Sequence, residues 1–170
     1  MKKTSALSLT RRAAVVASAL GLAIAVTPVA DAAPAKAAAN TAVKVTLTVK
    51  GPSGNLYNGS VTTKGHSVTT ASGGTHKCDG TNNEANTSAG PTPTAALDDA
   101  AKKQGFTWDG TWYPSFDDYF VTTIGGHNGG NAYYWNIAVN GVATEVGGCQ
   151  LHIKAGDKVA FTWTKINPTG

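Results

Sequence analysis

Three strand-like runs separated by turn residues fill the last third of the chain, and they constrain its fold more than any other feature. The runs occupy residues 119–126, 132–141 and 155–163. The second run ends in Asn140-Gly141, the dipeptide most typical of a two-residue β-hairpin turn. The pattern predicts a β-rich domain whose C-terminal part consists of short neighbouring strands.

A second clear strand pattern lies near the start of the domain. Residues 43–50 alternate Val or Leu with Lys or Thr, so one face of this strand is predicted to be buried and the other solvated. Weaker strand patterns follow at residues 59–63 and 66–71. The N-terminal half of the domain is therefore also predicted to form a sheet.

One short helix is well signalled between the two groups of strands. Thr92 is predicted to be its N-cap, and Pro93 occupies the first helical position, where a missing N–H costs nothing. Gly105 is the predicted C-terminal stop. The order of strands, loop, helix and strands predicts an α+β fold in which the helix packs on a largely antiparallel sheet.

Two segments are predicted to be loops. Residues 72–91 are rich in Gly, Asn, Thr and Ser, and a polar loop of this length is often functional. Residues 106–116 combine five aromatic side chains with Gly and Pro. We expect the second segment to be an aromatic loop.

The N-terminus has the features of a signal peptide. Basic residues precede an uncharged apolar run at residues 13–26, and Ala30-Asp31-Ala32 is an A-x-A cleavage site. We therefore expect a secreted, extracellular protein. The predicted organisation is a signal peptide at 1–32, a flexible stem at 33–42, an α+β domain at 43–165 and a tail at 166–170.

The charge balance changes once this leader is removed. It contains four of the 14 basic and one of the 10 acidic residues, so the mature chain keeps ten and nine, with no arginine. Nucleic-acid binding depends on clustered Lys and Arg, so no nucleic-acid partner is expected. No second long apolar run follows, so no membrane span is predicted in the mature form.

Cys78 and Cys149 are the two cysteines of the chain. An even number of cysteines in an exported protein favours a disulfide. A redox or metal site is the weaker interpretation, because the sequence contains no C-x-x-C spacing. We therefore predict one disulfide and no metal site.

Several aromatic residues outside the regular apolar positions are candidates for ligand binding. Trp108, Trp112 and Tyr113 lie in the predicted aromatic loop, and Tyr134 lies on the strand face opposite Trp135. Such rings can stack on a flat ligand, a sugar or a partner protein. The alternative is that the loop folds back and buries them as a small cluster under the helix.

His127 and an oxygen-rich segment raise the question of metal binding. His127 lies in the glycine-dense segment 125–131, where it is either an exposed loop residue or an axial ligand to the metal of a corrinoid. Residues 79–84 are rich in oxygen donors but lack the ligand spacing of an EF-hand, so a solvated loop with Asx turns is expected there.

No catalytic motif is present in the sequence. Asp109, Asp117, Asp118 and Glu145 contain carboxylates that a glycosidase would use in pairs, but that chemistry requires a set separation across a cleft. There is no G-x-S-x-G motif, and the cysteines are assigned to each other. We expect a protein that is not an enzyme.

Four segments in order resemble one known family. They are residues 94–101 of the helix, the Y-F-V-x-x-I-G run at 119–125, the W-x-x-x-V-N-G hairpin at 135–141 and the G-D-x-V-x-F-x-W run at 156–163. The series resembles the domain of unknown function that includes the C-terminal domain of transcobalamin and intrinsic factor, and in particular its free-standing secreted bacterial members. The resemblance covers residues 43–165 and implies a β-grasp-like α+β domain.

The resemblance also implies a function. In transcobalamin-like proteins this domain packs over a corrinoid held against a helical barrel, and the present sequence contains no such barrel. We expect a secreted, monomeric, non-catalytic binding module without a resident cofactor, whose candidate ligand is a flat small molecule of corrinoid type. The alternative is an interaction module for polysaccharide or protein of the extracellular matrix or cell envelope.

Overall fold

A mixed five-stranded sheet forms the centre of the protein in the computed structural model, which describes residues 40–167. The predicted signal peptide, most of the predicted stem and the last three residues of the predicted tail lie outside the described residues. Among residues 40–167, no helix is long and apolar enough to cross a membrane.

Within residues 40–167, ten strands and one helix follow one another. The elements are β1 Val43–Gly51, β2 Gly54–Thr63, β3 His66–Thr70, β4 Gly74–Cys78, α1 Pro93–Gln104, β5 Trp108–Tyr113, β6 Asp118–Ile124, β7 His127–Asn128, β8 Tyr133–Val139, β9 Val142–Ala143 and β10 Lys158–Lys165.

The strands form three sheets. The large sheet has the order β2-β1-β10-β8-β9, β3 pairs with β4, and β5-β6-β7 form a third sheet. All pairings are antiparallel except that of β1 with β10, which is parallel over residues 46–50 and 158–162. The prediction of a largely antiparallel sheet with one short helix is therefore confirmed. The large sheet is mixed, however, because its neighbouring strands β1 and β10 run parallel to each other.

The main core lies between the large sheet and α1. The alternation in β1 works as predicted, because Leu47 and Val49 are fully buried. Phe161 of β10 and Trp135 of β8 lie on the same face of the sheet and pack into the same cluster as Leu97 of the helix. Apolar burial between this sheet face and the helix is the main source of stability.

Local turn chemistry behaves as the sequence predicts. Thr92 caps α1, and its Oγ1 accepts a hydrogen bond from the Ala95 N–H at 3.2 Å. Gly105 ends the helix in the left-handed conformation, with φ 76°. Asn140 and Gly141 also have positive φ angles, 54° and 83°, as the two-residue turn between β8 and β9 requires.

Both predictions of long loops are wrong in part. Residues 72–91 contain β4, whose only fully buried side chain is that of Cys78, so no apolar alternation marks the strand. Residues 106–116 contain β5, where Trp108, Trp112 and Tyr113 lie on a strand and not in a loop. A register shift between Asp109 and Gly110 interrupts the period of two and hides this strand in the sequence.

The predicted disulfide between Cys78 and Cys149 is confirmed, with an S–S distance of 2.02 Å. Both cysteines are buried, in a second small cluster with Val68 and Tyr119. The bridge joins the end of β4 to the segment between β9 and β10, 71 positions along the chain. It therefore fixes the two-stranded β3-β4 sheet to the C-terminal half of the domain.

We predict that loss of this bridge lowers the free energy of unfolding by about 4 kcal/mol, because the unfolded chain regains the entropy of a loop of roughly 70 residues. Urea unfolding of the protein with and without a thiol reductant measures the difference. The double variant Cys78→Ser/Cys149→Ser is the control, since its unfolding should not respond to the reductant. Equal midpoints for oxidised and reduced protein would contradict the prediction.

Candidate functional site

Two of the predicted ligand-binding aromatics lie in an internal cluster around Tyr119. The Tyr119 ring is 4.8 Å from the Trp112 ring and 5.8 Å from the Trp108 ring, in edge-on arrangements. The other side of the cluster is His76 of β4, which stacks on Trp112 at 4.1 Å with parallel planes. Both tryptophans are half-buried, and Trp112 joins β5 to the β3-β4 sheet through its contact with His76.

Trp108 is also held by a buried carboxylate on the helix. Its Nε1 donates to Asp98 Oδ1 at 3.2 Å, and Asp98 Oδ2 lies 3.0 Å from His66 Nε2 and 2.6 Å from Lys102 Nζ. Burial alone would raise the pKa of Asp98, but the hydrogen bonds from these three groups outweigh it and lower the pKa. The hydrogen bond to Asp98 raises the pKa of His66. This network explains the position of Trp108 without a ligand.

A groove opens on the outer side of the β5-β6 pair. Its volume is about 320 Å³. The register places Tyr113 opposite Asp118, and Phe120 lies two residues further along the same face of β6. The groove is lined by Tyr113, Phe116, Asp118, Tyr119, Phe120 and Gly147.

The aromatic side chains at the mouth of the groove are unusually open to solvent. Phe116 is 63% exposed, Phe120 is 52% exposed and Tyr113 is 45% exposed. Of these three residues, the sequence analysis identified only Tyr113. The sequence does contain a signal for Phe120. It follows Tyr119 in a strand, and successive residues of a strand point to opposite faces, so one of the two rings must lie on the outer face.

Asp118 lies at the floor of the groove and is only 4% exposed. The backbone N–H of Cys149 donates to its carboxylate and lies 3.1 and 3.0 Å from the two oxygens. Gly147 permits this arrangement, because a Cβ at that position would overlap Asp118 Oδ2. The segment after β9 therefore covers the carboxyl from one side, and the aromatic groove meets it from the other.

Burial raises the pKa of Asp118 to about 7. Backbone N–H groups, that of Cys149 foremost, favour the charged form and lower the pKa, but they do not compensate for the loss of hydration. The neighbouring Asp117 raises the pKa further by repulsion. The groove thus contains an acid that changes charge near neutral pH.

A strained turn supports the rim of the groove. Asn82, Asn83 and Glu84 all have positive φ angles, 47°, 51° and 67°, which non-glycine residues rarely adopt. The Asn83 N–H donates to Asp117 Oδ2 at 2.7 Å, and its Nδ2 donates to the Pro114 carbonyl at 3.3 Å. This turn therefore holds the 114–117 segment that contains Phe116.

The first residues of the oxygen-rich segment 79–84 bond to each other. Asp79 Oδ1 accepts hydrogen bonds from the Thr81 N–H at 3.1 Å and from Thr81 Oγ1 at 2.6 Å. This is the Asx-type turn expected from the sequence. Within residues 40–167, no three His, Cys, Asp or Glu side chains are grouped so as to hold a metal ion.

The remaining two predicted site residues lie outside the groove. His127 is in β7, half-buried, with its ring 6.1 Å from that of Trp163 in an edge-on contact, and its carbonyl accepts from Trp135 Nε1 at 3.1 Å. Tyr134 lines a smaller cavity of about 80 Å³ together with Phe120. The five predicted residues are thus divided among the internal cluster, the groove and these two positions.

Comparison with known proteins gives one result for the C-terminal part of the chain. Residues 94–165 match the family model described as "Domain of unknown function (DUF4430)", which is less than half of the chain. The matched region runs from α1 to the end of β10 and includes the whole groove, whereas β1 to β4 and Cys78 lie before it. No curated protein matches the chain significantly.

We predict that the free energy of unfolding falls as the pH rises from 5 to 8. A carboxyl whose pKa is higher in the folded state stabilises the fold at low pH, and this stabilisation is lost as the pH rises through the folded pKa, here about 7. The fall attributable to Asp118 should be roughly 2–3 kcal/mol. Urea unfolding at several pH values measures it.

Two variants separate the contributing groups. The pKa of His66 is also raised in the folded protein, so loss of its proton also lowers the free energy of unfolding as the pH rises. Asp118→Asn should remove most of the dependence, whereas His66→Gln should remove only the part that belongs to the histidine. An unchanged pH profile in Asp118→Asn would show that the carboxyl does not titrate in this range.

Proposed function

We propose that the protein is a non-catalytic binding module that takes a flat small ligand in the groove between Tyr113, Phe116 and Phe120. The observation that carries the proposal is the exposure of these three rings, 45–63%, around a single groove. Clustered exposed apolar side chains cost free energy in water, so a soluble chain retains them where a ligand or partner covers them.

The size and shape of the groove favour one flat ring system. Its volume of about 320 Å³ lies at the lower end of the range for small-molecule sites. Aromatic side chains gain most from stacking or edge-on contact with a flat partner. The groove is open on one side, so a larger ligand can place one ring inside and the remainder outside.

The acid in the groove supports a binding role independently of the rings. The Cys149 N–H donates to both oxygens of the Asp118 carboxylate, but backbone hydrogen bonds do not offset the cost of burying its charge. Perturbed acids in clefts are typical of functional sites. Asp118 therefore holds the covering segment through Cys149 and, as a perturbed acid beside an open groove, is also a candidate for contact with a ligand.

The resemblance to the transcobalamin family suggests a corrinoid as the specific ligand. On the same resemblance we propose that the domain is related to the β-grasp fold. The predicted signal peptide adds the proposal that the mature chain is secreted. A corrinoid is much larger than the groove, so it would stack across the exposed rings with one edge inserted. His127 does not line the groove, so this binding mode assigns it no role as an axial ligand.

A polysaccharide of the cell envelope or matrix is the second candidate. The observation that favours it is the openness of Phe116 and Phe120, 63% and 52% exposed, because sugar rings stack on open aromatic faces at a protein surface. In this case the same groove would be one subsite of an extended surface.

We predict that a corrinoid binds the purified protein and that Phe120→Ala weakens this binding about tenfold, the effect of one lost aromatic contact. Calorimetric titration measures the affinity. Val142→Ala is the control, because Val142 is 71% exposed and lies outside the groove.

Retention on insoluble cell-envelope polysaccharide tests the second candidate with the same two variants. Retention that Phe120→Ala abolishes and Val142→Ala preserves would favour the polysaccharide. If the protein binds neither ligand class, or binds equally well without the Phe120 ring, the groove is not the binding site for them.

A further inference from the structure

The groove contains one charged side chain, and that side chain is acidic. Of its six lining residues, four are aromatic, one is Gly147 and one is Asp118. No Lys, Arg or His belongs to this lining. The electrostatic field inside the groove is therefore set by a carboxylate.

The rings at the mouth add to the same field. The face of a Phe or Tyr ring carries negative charge density and attracts a cation within about 6 Å of the ring centre. Tyr113, Phe116 and Phe120 stand around the groove that Asp118 lines from below. Aromatic faces together with a carboxylate are a combination suited to an organic cation.

The groups around the carboxyl do not neutralise this charge. Asp117, in the adjoining turn, is acidic as well, and the covering segment 147–149 contains no ionisable side chain, because it consists of two glycines and the disulfide-bonded Cys149. The phenol of Tyr119 points away, with its oxygen 2.9 Å from the Val68 carbonyl. The only other titratable groups among the lining residues of the groove are the phenols of Tyr113 and Tyr119.

We infer that the groove selects a flat small organic cation, an aromatic ring with a positively charged nitrogen, whose charge lies toward Asp118 and whose ring lies among Tyr113, Phe116 and Phe120. This inference rests on the proposed function and names the ligand class of the same site. A neutral flat ligand satisfies the rings but supplies no positive charge to the carboxylate, whose hydrogen bond from the Cys149 N–H comes from a neutral group.

The raised pKa of Asp118 gives this selectivity a pH dependence. The protonated carboxyl has no charge to offer a cation, so affinity for the cation rises as the pH increases through about 7. Affinity for a neutral ligand of the same shape should change much less over this interval, because the rings do not titrate there.

A matched pair of probes tests the inference. N-methylpyridinium and toluene are isosteric six-membered aromatic rings with one methyl group, and they differ in that a positively charged nitrogen replaces the ring carbon that carries the methyl group. Titration of the folded protein with each, followed by the NMR signals of the Cys149 and Gly147 amides, gives both affinities. At pH 8 we expect N-methylpyridinium to bind about tenfold more tightly than toluene.

The same titration in variants assigns the preference to the carboxyl. Asp118→Asn should abolish the preference for the cation and leave the affinity for toluene unchanged. Asp99→Asn removes an equal charge from the helix, outside the groove, and should preserve the preference. If Asp118→Asn fails to fold, wild-type protein at pH 5.5 takes its place, since protonation of the carboxyl should also abolish the preference.

The outcomes separate this inference from the proposed function. Equal affinities for the two probes at pH 8, or tighter binding of toluene, would overturn the inference that the groove prefers a cation. The groove would then be a site for neutral flat ligands. A preference that survives both Asp118→Asn and low pH would overturn the role of Asp118. If neither probe shifts the Cys149 and Gly147 amides, the groove accepts no flat ring and the proposed function fails with the inference.

Discussion

The architecture around the groove depends on one buried tyrosine. The Tyr119 hydroxyl lies 2.9 Å from the Val68 carbonyl and 2.7 Å from the Gly74 carbonyl, so it bonds across the β3-β4 pair. Its ring meanwhile packs against Trp112 on the next strand. Because Asp118 precedes it and Phe120 follows it, fixing Tyr119 fixes the direction of both groove residues on the opposite strand face.

Much of the fold follows from short-range sequence signals. The alternation in β1, the Thr92 cap and the Asn140 turn each depend on a few adjacent residues, and each has the predicted form. The disulfide follows from the sequence for a different reason, since a chain with two cysteines and a predicted signal peptide has one pairing to make. In these cases the physical cause lies within the segment or in composition.

The groove depends on contacts that no local pattern records. The burial of Asp118 comes from the Cys149 N–H, 31 positions away, so in the sequence this residue is one acid among several. Phe120 is outward-facing only because Tyr119 is held inward by strands far earlier in the chain. β5 was missed because its bulge at Gly110 breaks the period, and the parallel partner of β1 lies over a hundred residues away.

The parallel pairing of the first and last strands also has a mechanical consequence. β1 begins at residue 43 and β10 ends at residue 165, and the two run in the same direction as neighbours. A force that pulls the two ends of the domain apart therefore acts along these strands and loads the five paired positions between them in shear. Ladder hydrogen bonds loaded in this way must break together rather than one after another, so the domain is built to resist stretching between its ends.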